Sequence, residues 1–201
     1  GQDNDLTATD FTGSGFQGYA DSAYIIDPRG EKIGRVAMGG NSDTVHLSIT
    51  GMGCACVQNW ERVRHGVTTI GARITRCDVA FDDYQGRHDF HPRDLHERVR
   101  MGDLVVRAPG AGKPPGTRFV DDHDTGKGCT FYAGQKGNKE LCIYEKGRQL
   151  GDPESTWVRV EVRFFGKHGE IPPRILTEPL PFLRAAYNVC EAVPGDVCDR
   201  I

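Results

Sequence analysis

Three short segments carry side chains that could do chemistry. The first runs Arg73-Ile74-Thr75-Arg76-Cys77-Asp78-Val79-Ala80-Phe81-Asp82-Asp83. Side chains alternate faces along a strand. Val79 and Phe81 therefore point one way, and Asp78, Ala80 and Asp82 the other. Asp is disfavoured inside strands, so Asp78 among apolar neighbours asks for a reason. The second segment is Leu141-Cys142-Ile143-Tyr144-Glu145-Lys146. Read as a strand, it places Tyr144 and Lys146 on one face, ~7 Å apart. The third, Trp157-Val158-Arg159-Val160-Glu161-Val162-Arg163-Phe164, has a valine face and a face of Arg159, Glu161 and Arg163.

If the three polar faces form one surface, carboxylates, a tyrosine, a lysine and two arginines share it. Carboxylates are hard ligands suited to Mg²⁺ or Mn²⁺. A cation held by Asp78 and Glu161 could polarise a phosphate. Arginine and lysine would offset the phosphate charge. Tyr144 could attack phosphorus and keep the bond as a phosphotyrosine. Tyr132 is the competing nucleophile, and Tyr84 and Tyr24 follow it. Against this stands a simpler reading, in which an Arg-x-Glu-x-Arg strand is a solvated sheet face with cross-strand pairs. Cys77, on the opposite parity to Asp78, reads as core. Cys142 shares Tyr144's parity, and packing is its simplest role. Trp60 and Trp157 can stack on bases but read first as packing residues.

The elements that would position these side chains are mostly strands. Gly18 to Asp27 and Glu31 to Met38 flank a Pro28-Arg29-Gly30 turn and read as a hairpin. Thr44 to Thr50 reads as a third strand, and Cys56 to His65 has mild helical character. Pro92 to Met101 reads as a short helix with Asp89 or His91 near its cap. Ala108 to Gly116 is a Pro/Gly loop. Strands follow at Cys129 to Gln135, Lys139 to Lys146 and Thr156 to Phe165, then a terminal helix including Pro181 to Cys190. Gly1 to Gly15 reads as a loose arm. With 201 residues, 37% of them hydrophobic, the chain supports one buried core. The 26 glycines and scarce helical periodicity favour a sheet-rich α+β domain over a bundle. The expectation is one domain over 1–201, with an order of elements that suggests two roughly repeated halves.

Charge and cysteine usage narrow the class. The formal net charge of -3 argues mildly against nucleic acid. Its distribution is uneven, however. Acidic residues gather in the first third, and the stretch from Lys127 to Arg174 is basic. A local basic face drawn from Lys136, Lys139, Arg148, Arg159 and Arg163 is therefore expected. Seven cysteines show no paired metal spacing, which excludes a zinc knuckle. Scattered thiols suit a cytoplasmic protein. No signal peptide and no apolar run near ~20 residues is present, so no membrane role is expected. The opening Gly in place of Met leads to the expectation of further domains outside the chain. His88 and His91 read as loop residues. Gly110-Ala111-Gly112-Lys113 fails as a phosphate loop, because Arg107 stands at the required earlier Gly and Pro114 replaces Ser/Thr.

Four pieces together resemble the replication initiation factors (Rep_trans type) of rolling-circle plasmids and filamentous phages. They are Arg76-Cys77-Asp78-Val79-Ala80-Phe81-Asp82-Asp83, Thr130-Phe131-Tyr132-Ala133-Gly134-Gln135, Ile143-Tyr144-Glu145-Lys146-Gly147 and Trp157-Val158-Arg159-Val160-Glu161. Their order and spacing fit from about Arg73 to Phe165. The resemblance implies an origin-specific nick, a tyrosyl–DNA intermediate and later closure. It places the nucleophile at Tyr144 and the metal carboxylates at Asp78 and Glu161, with Asp82 less securely placed. It implies a curved, mainly antiparallel sheet flanked by helices, similar to the TATA-binding-protein saddle. The implied partners are double- and single-stranded origin DNA, a host helicase and a second copy in a homodimer, in a bacterial cytoplasm. Two other readings stay open: a non-catalytic DNA-binding regulator on the same fold, and a metal-dependent nuclease that uses water.

Overall fold

The computed structural model describes residues 7–135, 137–167 and 169–195. The fold is α+β with two antiparallel sheets, one in each of two compact units divided after Asn59.

The first unit carries a four-stranded sheet in sequential order: β1 (Thr7–Ala8), β2 (Asp21–Ile26), β3 (Lys32–Met38) and β4 (His46–Ile49). Strands β2 and β3 form the expected hairpin, with Ala23 opposite Val36. Its turn is fastened by the Asp27 carboxylate, which accepts the Arg29 and Glu31 backbone N–H groups at 2.9 and 2.8 Å. A short helix, α1 (Gly51–Cys56), follows, with the Thr50 hydroxyl accepting the Gly53 N–H as its cap. Part of the expected loose arm is ordered, since β1 pairs with β2. Gly1 to Leu6 lie outside the described residues.

The second unit opens with α2 (Trp60–Thr69) and holds a five-stranded sheet. Its strands are β5 (Arg76–Asp83), β6 (Thr117–Asp122), β7 (Gly128–Gly134), β8 (Lys139–Glu145) and β9 (Val158–Phe165). They stand in the order β5-β9-β8-β7-β6, all neighbours antiparallel. Between β5 and β6 the chain forms α3 (Pro92–Met101) and a long loop. Gly102 ends that helix in a left-handed conformation. Two short helices complete the unit: α4 (Lys146–Gln149) and α5 (Pro179–Arg184).

Alternation divides this sheet cleanly. Val79, Phe81, Phe131, Leu141, Ile143, Val158, Val160 and Val162 face the core, where Leu95, Ile175, Leu183 and Tyr187 close over them. Close approaches at the core fix two glycines. A Cβ on Gly134 would lie 2.3 Å from both the Lys139 carbonyl and the Tyr187 hydroxyl. A Cβ on Gly147 would strike the Ser155 side chain, so the corner between β8 and α4 depends on a bare backbone there.

The structure departs from expectation at three places. Strand β6 was not expected. Only Phe119 and Val120 are apolar in it, because an edge strand with two exposed ends needs little hydrophobic pattern. Lys146 does not extend β8 but starts α4. The expected terminal helix is split into α5 and a 3-10 turn over Asn188–Ala192.

Candidate active site on the polar face of the five-stranded sheet

The face opposite the core is built from the three segments the sequence singled out. Register places them in rows. Asp82, Arg159 and Tyr144 are directly opposite one another across β5, β9 and β8. One step along, Ala80, Glu161 and Cys142 form the next row, followed by Asp78, Arg163 and Glu140. Strand alternation therefore brings Asp78, Asp82, Glu161, Tyr144, Arg159 and Arg163 onto one surface.

Tyr144 is half-buried, and its hydroxyl donates to Glu161 Oε2 at 3.0 Å. Burial pushes the phenol's pKa well above its ordinary value, and the negative charge of Glu161 adds to this. The Arg159 guanidinium pulls the other way, favouring the phenolate. At neutral pH the side chain is a neutral phenol held by a carboxylate acceptor and faced by a fixed cation. That is the arrangement a tyrosine nucleophile needs, since its proton must leave as the oxygen attacks.

Each carboxylate on this face is tied to arginine. Asp82 accepts a two-pronged contact from Arg159, at 2.8 Å from Nε and 2.6 Å from Nη2, and also the Trp157 indole N–H. Its side chain is 1% exposed, so its lone pairs are spent on fixing Arg159. Arg163 donates from Nε to Glu161 Oε1 at 2.6 Å and from Nη1 to Glu140 Oε2 at 3.2 Å. Burial alone would lower the Arg163 pKa, but Glu161 carries it well above its usual range. Asp78 is gripped by Arg76 at 2.8 and 2.6 Å. Cys142 is fully buried between these rows, and burial keeps its thiol protonated.

The donor set suits a hard divalent cation, because Asp78 and Glu161 are diagonal neighbours that offer oxygen only. Among the described residues, no three His, Cys, Asp or Glu side chains converge on a point. The residues fit Mg²⁺ or Mn²⁺ as a two-carboxylate site completed by water and phosphate, with Arg76 drawn off Asp78, and not as a protein-only cage.

The remaining expected residues scatter. Lys146 stays close to Tyr144, its Nζ 5.8 Å from the ring centroid and 3.0 Å from Gln149 Oε1. Burial, then the charge of Arg159, lowers its pKa. Lys139 falls on the parity of Leu141 and Ile143, opposite to Tyr144, and its Nζ lies 5.1 Å from the Tyr187 ring. Arg148 is in α4, where its Nε lies 3.1 Å from Glu145 Oε1. Lys136 lies outside the described residues. Arg159 and Arg163 are paired with carboxylates on this face, and Lys139 lies on the opposite face of the sheet. Tyr132 shares the polar face under the Arg118 guanidinium, 4.1 Å from its ring centroid.

Sequence reasoning missed three members of the face. Glu140 was legible by parity, two and four residues before Cys142 and Tyr144. Arg76 sat inside the first segment but was not assigned a role. The contact of the Trp157 indole with Asp82 depends on strand pairing and leaves no local signal.

Residues 72–194 match the sequence pattern of the replication initiation factor family. This stretch contains every strand of the five-stranded sheet. No curated protein matches the chain by sequence. Among solved structures, a rolling circle replication initiator protein from Geobacillus stearothermophilus is similar at 20% identity, with a TM-score of 0.65 over 90% of this chain and 73% of that one. At that identity the likeness speaks for the fold. Joined to a family match over more than half of its length, it leads to one conclusion: this chain belongs to the replication initiation factor family.

Proposed function

We propose that the chain initiates rolling-circle replication by nicking one strand of origin DNA with Tyr144 and later rejoining it. The observation that carries this reading is the Tyr144 hydroxyl, donated to Glu161 at 3.0 Å and faced by Arg159.

In the proposed step, Tyr144 Oη attacks the scissile phosphorus while its proton passes to Glu161 Oε2. The bond from phosphorus to the 3′ oxygen breaks. The leaving oxygen takes a proton from Lys146, whose lowered pKa makes its ammonium a better acid. The 5′ phosphate stays on tyrosine. Arg159, held by Asp82, stabilises the charge gathering on phenol and phosphate oxygens. A Mg²⁺ or Mn²⁺ held by Asp78 and Glu161 would draw further charge from the phosphate. Closure is the reverse: the returning 3′-hydroxyl attacks, and tyrosine leaves. Hydrolysis by water would discard the stored bond and leave a circle that cannot close.

A nick needs strand separation, so a host helicase is the expected partner, and a homodimer would supply a second tyrosine. Among the described residues, no helix is long and apolar enough to cross a membrane. The test is nicking of a supercoiled plasmid carrying the element's own origin, with Mg²⁺, with EDTA and with Tyr144→Phe. A protein–DNA adduct that maps to Tyr144 supports the proposal. Nicking that survives Tyr144→Phe favours a water-using nuclease, and origin binding without nicking favours a regulator.

A further inference from the structure

Where β5 ends, two aromatic rings sit together on the polar face. Tyr84 lies just past the end of β5 and Trp157 just before β9; the Trp157 contacts with Asp82 and Arg159 place it on the polar face, and Tyr84 packs against it. The rings lie 4.8 Å apart between centroids, tilted by 42°. Trp157 is fixed from three directions. Its N–H bonds Asp82, the Arg159 guanidinium lies 5.7 Å from its ring, and Tyr84 covers it. Tyr84 itself is 54% exposed.

The turn that follows is braced from below. The Asp83 carboxylate accepts the Arg87 and His88 backbone N–H groups at 3.1 and 2.8 Å, and the Thr156 hydroxyl bonds the Tyr84 carbonyl. This bracing holds open a cavity of about 280 Å³ that Tyr84, Gln85, Arg87 and His88 help to line. A firmly mounted, partly exposed aromatic ring, a concavity beside it and an exposed guanidinium at its rim meet the chemistry of one nucleotide of a single strand. A base stacks on the ring, and the phosphate pairs with arginine. This place lies two strand spacings across and two residues along from Tyr144, ~12 Å.

We infer that Tyr84 on Trp157, with Arg87 at the rim, forms a base-stacking subsite for single-stranded DNA next to the scissile phosphate. The inference rests on the nicking reading for the identity of its neighbour, but its binding chemistry can be read separately. It also assigns a purpose to the mounting of Trp157: a platform whose position is set by the same Asp82 that sets Arg159.

The experiment uses the full chain with Trp60→Phe, which leaves Trp157 as the reporting indole. Two probes of about twelve nucleotides are titrated, oligothymidylate and an abasic strand of equal length. Oligothymidylate should quench Trp157 emission and bind about tenfold more tightly than the abasic strand. Tyr84→Ala should erase that difference by losing about tenfold for oligothymidylate alone, and Tyr84→Phe should retain it. Equal binding of both probes by the Trp60→Phe protein, or a Tyr84→Ala variant that still discriminates them, overturns the subsite. Tyr144→Phe separates the two claims. It should keep base discrimination while losing the DNA adduct, and an adduct that persists would count against the nucleophile while leaving the stacking result intact.

Discussion

Tyr144 reaches diagonally across the sheet to Glu161 while its register partner Arg159 faces it directly, and the 3.0 Å contact binds a neutral phenol to a buried carboxylate. Glu161→Gln keeps the shape and a hydrogen-bond acceptor but takes no proton. Single-turnover nicking should slow about a hundredfold, the ordinary scale of one general base. Tyr144→Phe should eliminate the covalent adduct, detected by mass spectrometry of the trapped oligonucleotide. A Glu161→Gln protein that nicks at the normal rate would remove Glu161 from the role of proton acceptor.

The Asp82 and Arg159 pair is almost dry, at 1% and 14% side-chain exposure. Removing one partner strands the other charge. Asp82→Ala should cost about 3 kcal/mol in urea unfolding. The double substitution Asp82→Leu with Arg159→Met should recover much of that stability without recovering activity, since an apolar pair replaces a desolvated ionic one. If Asp82→Ala were as stable as the parent, Arg159 would not depend on it for position.

At the proposed metal site, Arg76 would compete with a cation for Asp78. Arg76→Ala should therefore tighten Mn²⁺ binding, read by paramagnetic relaxation or calorimetry, whereas Asp78→Ala and Glu161→Ala should weaken it. Identical affinities across the three variants would remove both carboxylates from the metal site.

Glu145 ends the interior strand β8, where its Oε2 accepts the Cys129 N–H at 2.7 Å and the thiol at 3.1 Å. Burial works to raise the carboxyl pKa, but these bonds and the charges of His91 and Arg148 hold it below its ordinary 4.5. The folded value lies below the unfolded one. Its stabilisation is thus complete above pH 4.5 and is lost as pH falls through the folded value. Glu145→Gln should be less stable at pH 7 by about 2 kcal/mol and should show a flatter loss of stability below pH 4.5. Burial, and then this carboxylate, push the Cys129 thiol up to about 12, so that thiol stays protonated across the range.

Much of this site was readable before any coordinates, for a definite reason. Valine alternation in β9 and the Val79/Phe81 pattern in β5 fix which face of each strand is buried, and the other face follows. What strand parity cannot supply is the identity of the neighbour. That Arg163 binds Glu161 and Glu140, that Asp82 serves Arg159, and that Lys139 belongs to the Tyr187 side all depend on which strands adjoin. Lys146 was misjudged because Gly147 permits a close contact with Ser155 that turns the chain into α4.

The strand order has a consequence in time. β5 contributes Asp78 and Asp82, yet its partner β9 arrives ~75 residues later, after α3, β6, β7, β8 and α4 have been made. Such non-local pairing is slow, and during synthesis it waits for Phe165 to leave the ribosome. A partly made chain holds Tyr144 without Glu161 or Arg159. Under the proposed mechanism Tyr144 would therefore stay idle until β9 exists, and nascent chains that end before it would not cut DNA.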